Sequence, residues 1–326
     1  MATSLALVLG FAVAACGGDG GARAEPRPAS GERASEPTSD TTEAATTEAP
    51  TTVPPTTAPP TTAPVDPATL RPPAPVADPA ALAERIGQAE ATLRNPAAGS
   101  GDVATAALAQ QAAYRQLGDH PEWDAAVLAA LPPELHGAVR GHAAARREFR
   151  ALARGPSANM PSWRIVPPAP ADQLVGWYHE AEAAFGVPWQ VLAAVNLVET
   201  GLGRIRGTST AGAQGPMQFM PATWAAYGEG DVNDPRQAIL AAARYLQANG
   251  APGDMAGALW HYNHSDHYVR GVQLYADLIG EHPGAFAGFY GWGVWYWTTQ
   301  GDLYLPIGYE ATESIPVEQY TASAPQ

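Results

Sequence analysis

From residue 79 to about residue 280, apolar side chains recur every three or four positions, and Pro, Gly and Asp punctuate the pattern. That period predicts a succession of helices. The first is "DPAALAERIGQAEATL", with Asp78 as N-cap and Pro79 at the first helical position. Alanine-rich segments follow from Asp102 to Leu117, Pro121 to Leu131 and Pro133 to Ala153, where Gly155 and Pro156 stop the run. Beyond the proline-marked "PSWRIVPPAP", residues 171–185 place Leu174, Tyr178, Ala181 and Phe185 on one face and end at Gly186. Pro188 opens a helix that turns Val191, Leu192, Val195 and Val198 inward and ends on Glu199. Further helices run from Pro221 to Tyr227, from the Asp234-Pro235 cap to Gln247, from Asp254 to Tyr262, and from Ser265 or Asp266 to Gly280. No strand pattern is expected between 171 and 280.

The two ends break the period. "FYGWGVWYWTTQGDLYLPIGY" alternates with period two around the turn "TTQGD", which predicts a hairpin over 290–308. Its aromatics are expected to pack onto the helices rather than stand free for sugar stacking. At the other end, "SLALVLGFAVAAC" is an apolar run of signal-peptide type, too short for a membrane span of about 20 residues. Residues 17–78 are mostly Gly, Ser, Thr, Pro, Ala and Glu, with the repeat "TTVPP", "TTAPP", "TTAPV". Few of these side chains can offset ordering entropy by burial. At about 3.1 Å per residue a polyproline stalk of this length reaches on the order of 150–200 Å. The expected organisation is a signal peptide, 1–16; a disordered linker, 17–78; a helical region, 79–155; a catalytic domain, 163–285; and an aromatic hairpin with tail, 286–326. The expected fold is mainly α.

Charge and cysteine usage narrow the partners. Lys and Arg number 18 against 32 Asp and Glu, a net charge of −14. Nucleic acid and electrostatic docking on an anionic membrane are therefore excluded, since both need clustered cations. One cysteine excludes an internal disulfide and a Cys-based zinc site.

Glu199 is the residue with chemistry. No other carboxylate follows until Glu229. An acid at the end of an apolar helix is desolvated and meets the negative end of the helix dipole, and both effects favour the neutral form. Such an acid can donate a proton to a glycosidic oxygen. Most glycosidases add a second carboxylate, and Glu229, Asp231 and Asp234 are the candidates. Substrate-assisted enzymes need none.

The loop after Glu199, "GLGRIRGTSTAGAQGPMQFMPATW", resembles the lytic transglycosylases of the soluble-lytic-transglycosylase (SLT) type, which have a goose-lysozyme-like core. Glu199-Thr200 matches the catalytic Glu-Ser/Thr motif. "GPMQFMP" matches the Gly-x-x-Gln run into Met-Pro, and "ALWHYN" supplies the Tyr262-Asn263 pair. Thr200 replaces the commoner Ser, and His261 stands where Ala is usual. "VAAC" resembles the lipobox of bacterial lipoproteins, which implies lipidation of Cys16; ordinary signal cleavage is the alternative. The resemblance to SLT enzymes implies a secreted lyase. Such an enzyme cleaves the β-1,4 bond between N-acetylmuramic acid and N-acetylglucosamine, leaving a 1,6-anhydromuramoyl end. It further implies Glu199 as acid and then base, and Ser209, Gln218, Met220, Tyr262 and Asn263 in the glycan cleft, with Tyr262 orienting Glu199 or stabilising developing charge. It implies neither cofactor nor metal, a monomer and a site of action outside the cytoplasm, while the lipobox resemblance implies a lipid anchor in the membrane through Cys16.

Other readings compete. Glu199 could be a helix-end acid paired with Arg204 or Arg206. "GLGRIRG" lacks the spacing and the preceding strand of a dinucleotide fingerprint. "HYNHSDH" offers His261, His264, Asp266 and His267 without a metal-binding pattern. A muramidase that admits water and a non-catalytic wall-binding module are the alternatives in function.

Overall fold

The computed structural model describes residues 66–323 and the backbone of residues 7–8 and 10–11; Cys16 and the Thr/Pro repeats lie outside the described residues. Leu7–Val8 (β1) and Gly10–Phe11 (β2) are two-residue strands. The chain then runs through helices α1 (Pro79–Leu93), α2 (Ser100–Asp119), α3 (Asp124–Ala130) and α4 (His136–Leu152). Short strands β3 (Asn159–Met160) and β4 (Arg164–Ile165) precede α5 (Ala171–Phe185) and α6 (Trp189–Thr200). After β5 (Ile205–Arg206) come α7 (Pro221–Tyr227), α8 (Pro235–Ala248), α9 (Met255–Tyr262) and α10 (Asp266–Gly280). The chain ends in α11 (Ala285–Gly291), hairpin strands β6 (Val294–Thr298) and β7 (Gly301–Leu305), β8 (Ile315–Pro316) and α12 (Val317–Ser323).

Local chemistry explains several helix boundaries. Asp78 accepts from the amides of Ala80 and Ala81, Asp234 from Gln237 and Asp254 from Gly257, so each carboxylate satisfies first-turn donors. Pro121 and Pro133 each open a single 3-10 turn, Pro121–Trp123 and Pro133–Leu135, and these lead into α3 and α4. Gly186 and Gly201 end α5 and α6 in the left-handed conformation.

α6 is the axis of the fold. Every residue from Val191 to Thr200 is buried, not only the single face that helical spacing selects. The helix is apolar almost all round, and α5, α8 and α10 pack about it. Phe185, expected on the inward face of α5, is half-buried instead, with the Arg244 guanidinium 5.3 Å from its ring. One core spans α2, α4, α5, α6, α8, α9, α10 and α11. A second fills the space among α1, α2, α3 and α4, and a third lies under the strands.

The helices of 79–152 dock on the rest through polar side chains. Gln111 brackets Gly293, its Oε1 accepting from the backbone amide and its Nε2 donating to the carbonyl, both at 2.9 Å. Gln110 accepts from the Trp292 indole at 2.9 Å and donates to buried Glu90. Asp302 on β7 accepts from Arg115, Arg146 and Arg150. Residues on the linker side of α1 are bonded as well: the Gln116 amide pairs with both the N–H and the carbonyl of Val76.

The hairpin forms around the expected turn, with Thr298 opposite Gly301, but is shorter than 290–308 because α11 occupies its first residues. Its aromatics do pack: Trp292 and Tyr296 are buried, and Trp295 and Trp297 lie under Arg115 and Arg150. The expectation of no strand between 171 and 280 fails at β5. Ile205 pairs with Ile165 and Arg206 with Arg164, a two-residue contact too short to leave a period in sequence.

Candidate active site

Glu199 occupies the last turn of α6, and its side chain is 4% exposed. Among the described residues its carboxylate meets no cation. Tyr268 on α10 donates to Oε1 at 2.7 Å. Burial pushes the Glu199 pKa well above the ordinary carboxylate value, and the Tyr268 hydrogen bond pulls it part of the way back. Burial likewise keeps the Tyr268 phenol protonated, so it remains a donor.

The turn that presents Glu199 is held rigidly. Thr200 Oγ1 donates to the Pro216 carbonyl at 2.5 Å and accepts from the Gly203 amide at 3.0 Å. Asn196 Nδ2 donates to the same carbonyl at 2.9 Å, and its Oδ1 accepts from the buried Tyr178 hydroxyl at 2.7 Å. Gly201, Leu202 and Gly203 all have positive φ, at 61°, 64° and 80°. Leu202 tolerates that conformation because its side chain is anchored in the core at 1% exposure.

The pairing of Glu199 with Arg204 or Arg206 is overturned. Arg204 donates to the carbonyls of Gly201 and Tyr290, and Arg206 to that of Asn233. The candidate second carboxylates are also engaged elsewhere. Glu229 pairs with Arg244 at 3.0 Å, Asp231 accepts from Asn233, and Asp234 caps α8.

The remaining sequence-derived residues divide by what they do. Gln218, Met220 and Tyr262 line one small pocket with Phe219, Thr223 and Tyr245. Gln218 has positive φ (52°), and its Nε2 donates to the Gly215 carbonyl at 3.0 Å. Tyr262 donates to the Met217 carbonyl at 2.7 Å, not to Glu199, and its ring stacks parallel to Tyr268 at 6.4 Å. Orientation of the acid thus falls to Tyr268, with Tyr262 packed behind it. Asn263 is 3% exposed and its Nδ2 has no hydrogen-bond partner among the described residues. Ser209 Oγ accepts from the amides of Ala211 and Ala213, shaping the loop between β5 and α7. Tyr268 escaped the sequence reading; the signal was available, since an apolar-face tyrosine follows Tyr262-Asn263 on the next helix.

The histidine-rich stretch does not converge. His267 and Arg270 bond Glu148 on α4, whereas His264 lies edge-on to Trp260 at 4.3 Å. No group of three metal-ligating side chains gathers among the described residues, and none of their helices is long and apolar enough to cross a membrane.

Residues 177–276 match the family model described as Transglycosylase SLT domain. No curated protein and no solved structure matches the chain. The matched stretch begins within α5 and ends within α10, and so contains Glu199, Ser209, Gln218, Met220, Tyr262, Asn263 and Tyr268. The expected fold class holds: the chain is mainly helical and carries an SLT, lysozyme-like domain. At family level that domain implies lytic transglycosylase activity on peptidoglycan, and hence work outside the cytoplasm.

Proposed function

We propose that this chain is a lytic transglycosylase that cleaves the β-1,4 bond between N-acetylmuramic acid and N-acetylglucosamine, with Glu199 serving as acid and then base. The supporting observation is a buried carboxyl, its pKa pushed well above the ordinary value by burial, with a tyrosine donor and no carboxylate partner among the described residues. Glu199 delivers its proton to the bridging oxygen as the anomeric C1–O bond breaks. The substrate's own acetamido oxygen closes on C1 and carries the positive charge. The C6 hydroxyl then displaces that oxygen and returns its proton to Glu199. A 1,6-anhydro end forms, no water enters, and the enzyme is regenerated.

Tyr268 supports both halves of the cycle. Its hydroxyl fixes the rotamer of the acid and stabilises the transient carboxylate. The unpartnered amide of Asn263 suits the acetamido carbonyl of a bound sugar, which would satisfy an otherwise costly buried donor. Gln218, Met220 and Tyr262 form the adjoining wall of the cleft, and Ser209 shapes its loop. Lipidation of Cys16 and the Thr/Pro stalk would hold a monomeric domain at the outer face of the membrane, within reach of the wall.

The test is digestion of purified sacculi followed by mass analysis. Anhydro-ended fragments, one water lighter than hydrolytic products, are expected, and Glu199→Gln should release none while retaining its helical circular dichroism. Hydrated ends would instead assign a muramidase. Sacculus binding with no fragment from either protein would leave a wall-binding module.

A further inference from the structure

A cavity of about 620 Å³ lies among α2, α5, α11 and the hairpin, walled by side chains such as Val103, Leu108, Val175, Phe286, Leu305 and Ile307. Its volume falls in the range of sites that enclose small molecules, roughly 300–1,000 Å³. None of the cleft residues around Glu199 lines it.

One cation interrupts the apolar wall. Arg204 is 6% exposed, and its guanidinium donates to the Gly201 and Tyr290 carbonyls. The Tyr290 ring lies 5.5 Å away, and no carboxylate of the described residues pairs with it. This differs from the other deeply buried arginines, Arg115 and Arg146, which share Asp302. Burial lowers the Arg204 pKa only to about 10, so the charge persists at neutral pH. Tyr304 lines the same cavity, and its hydroxyl has no hydrogen-bond partner among the described residues. A buried cation facing an apolar space gains most from a ligand that brings its own anion and an apolar body.

We propose that this cavity binds a long-chain fatty acid, its carboxylate on Arg204 and Tyr304 and its alkyl chain along the walls of α2, α5 and α11. A sugar or a peptide would strand its polar groups against walls that offer them few partners. A single alkyl chain asks for none. Because Arg204 also holds the carbonyl of Gly201, two residues beyond Glu199, the headgroup would bear on the turn that presents the acid.

Calorimetric titration of the full chain with palmitate, below its micellar concentration, tests this without reference to glycan cleavage. One saturable site is expected, with hexadecanol binding at least tenfold more weakly. Arg204→Met should erase that difference, and Val175→Phe, which fills the cavity from a half-buried position, should abolish both. Should Arg204→Met fail to fold, the headgroup comparison and Val175→Phe decide. Equal affinity for acid and alcohol, palmitate binding undiminished by Val175→Phe, or no binding at all would overturn the proposal. Tighter binding of a lysophosphatidate than of palmitate would overturn the carboxylate assignment.

Discussion

A carboxyl kept neutral by burial works as an acid only while it holds its proton, so activity should fall on the alkaline side as Glu199 ionises. Tyr268 sets where that limb lies, because its hydroxyl favours the anion. Tyr268→Phe removes the donor and should move the limb up by about one to two pH units, taking a hydrogen bond to a charged group as about 1.5–3 kcal/mol. Catalytic rate should fall at least tenfold with little change in KM, since orientation and not affinity is lost. A pH–rate profile of the variant reads both, and an unmoved limb would deny Tyr268 its part. Stability carries the same sign. Glu199 is protonated more readily in the folded than in the unfolded chain. Its contribution is therefore fully present below the unfolded value of 4.5 and is lost as pH rises through the raised folded value. Glu199→Gln removes that dependence. The variant should match the parent near pH 4 and exceed it increasingly at higher pH, by about 1.4 kcal/mol for each unit by which the folded value is raised. Paired thermal melts at pH 4 and pH 8 check this.

At the scale of elements, the turn after α6 decides where the acid points. Gly201 and Gly215 both have positive φ, yet their surroundings differ. A Cβ on Gly201 would meet Val294 at an ordinary 3.8 Å, whereas one on Gly215 would fall 2.0 Å from the Val232 carbonyl oxygen. Gly201→Ala should cost about 1–2 kcal/mol, the left-handed backbone penalty alone. Gly215→Ala should cost several times more, or prevent folding, because a backbone atom cannot yield cheaply. Urea melts separate the two. The helices themselves were readable because caps and period agree: α5 begins and ends where spacing and Gly186 place it. The short strands were not, since two-residue pairings such as Ile205 with Ile165 depend on a distant partner. The direction of Tyr262 was also hidden. The "YN" motif names a tyrosine in the site, but only the packing of α9 on the Met217 loop turns its hydroxyl to a carbonyl and leaves Glu199 to Tyr268.

For the molecule as a whole, Asp302 joins the hairpin to α2 and α4. Burial alone would raise its pKa, but Arg115, Arg146 and Arg150 outweigh that and hold it below the ordinary value of 3.8. Its contribution is thus present above the unfolded value and is lost as pH falls through the lowered folded one. Asp302→Ala would leave Arg115 and Arg146 buried beside one another without their shared anion. A loss of about 3 kcal/mol and a fall in Tm of about 5–10 °C are expected. Arg236→Ala, which breaks an exposed, solvent-screened pair with Glu180, should leave the melting temperature almost unchanged. Equal losses in calorimetry would show that the Asp302 cluster does not bind the two regions together.

The order of helices, the acid at the end of an apolar one and the motif residues of the matched stretch follow from sequence, because period, capping and side-chain chemistry act over a few neighbouring residues. Tertiary structure alone decided that α6 is enclosed on every side, that Tyr268 reaches its acid, that Arg204 turns away toward an apolar cavity, and that the first four helices lock onto the hairpin. Each of these depends on the approach of residues far apart in the chain, where burial and charge pairing are settled by the whole packing and leave no local period to read.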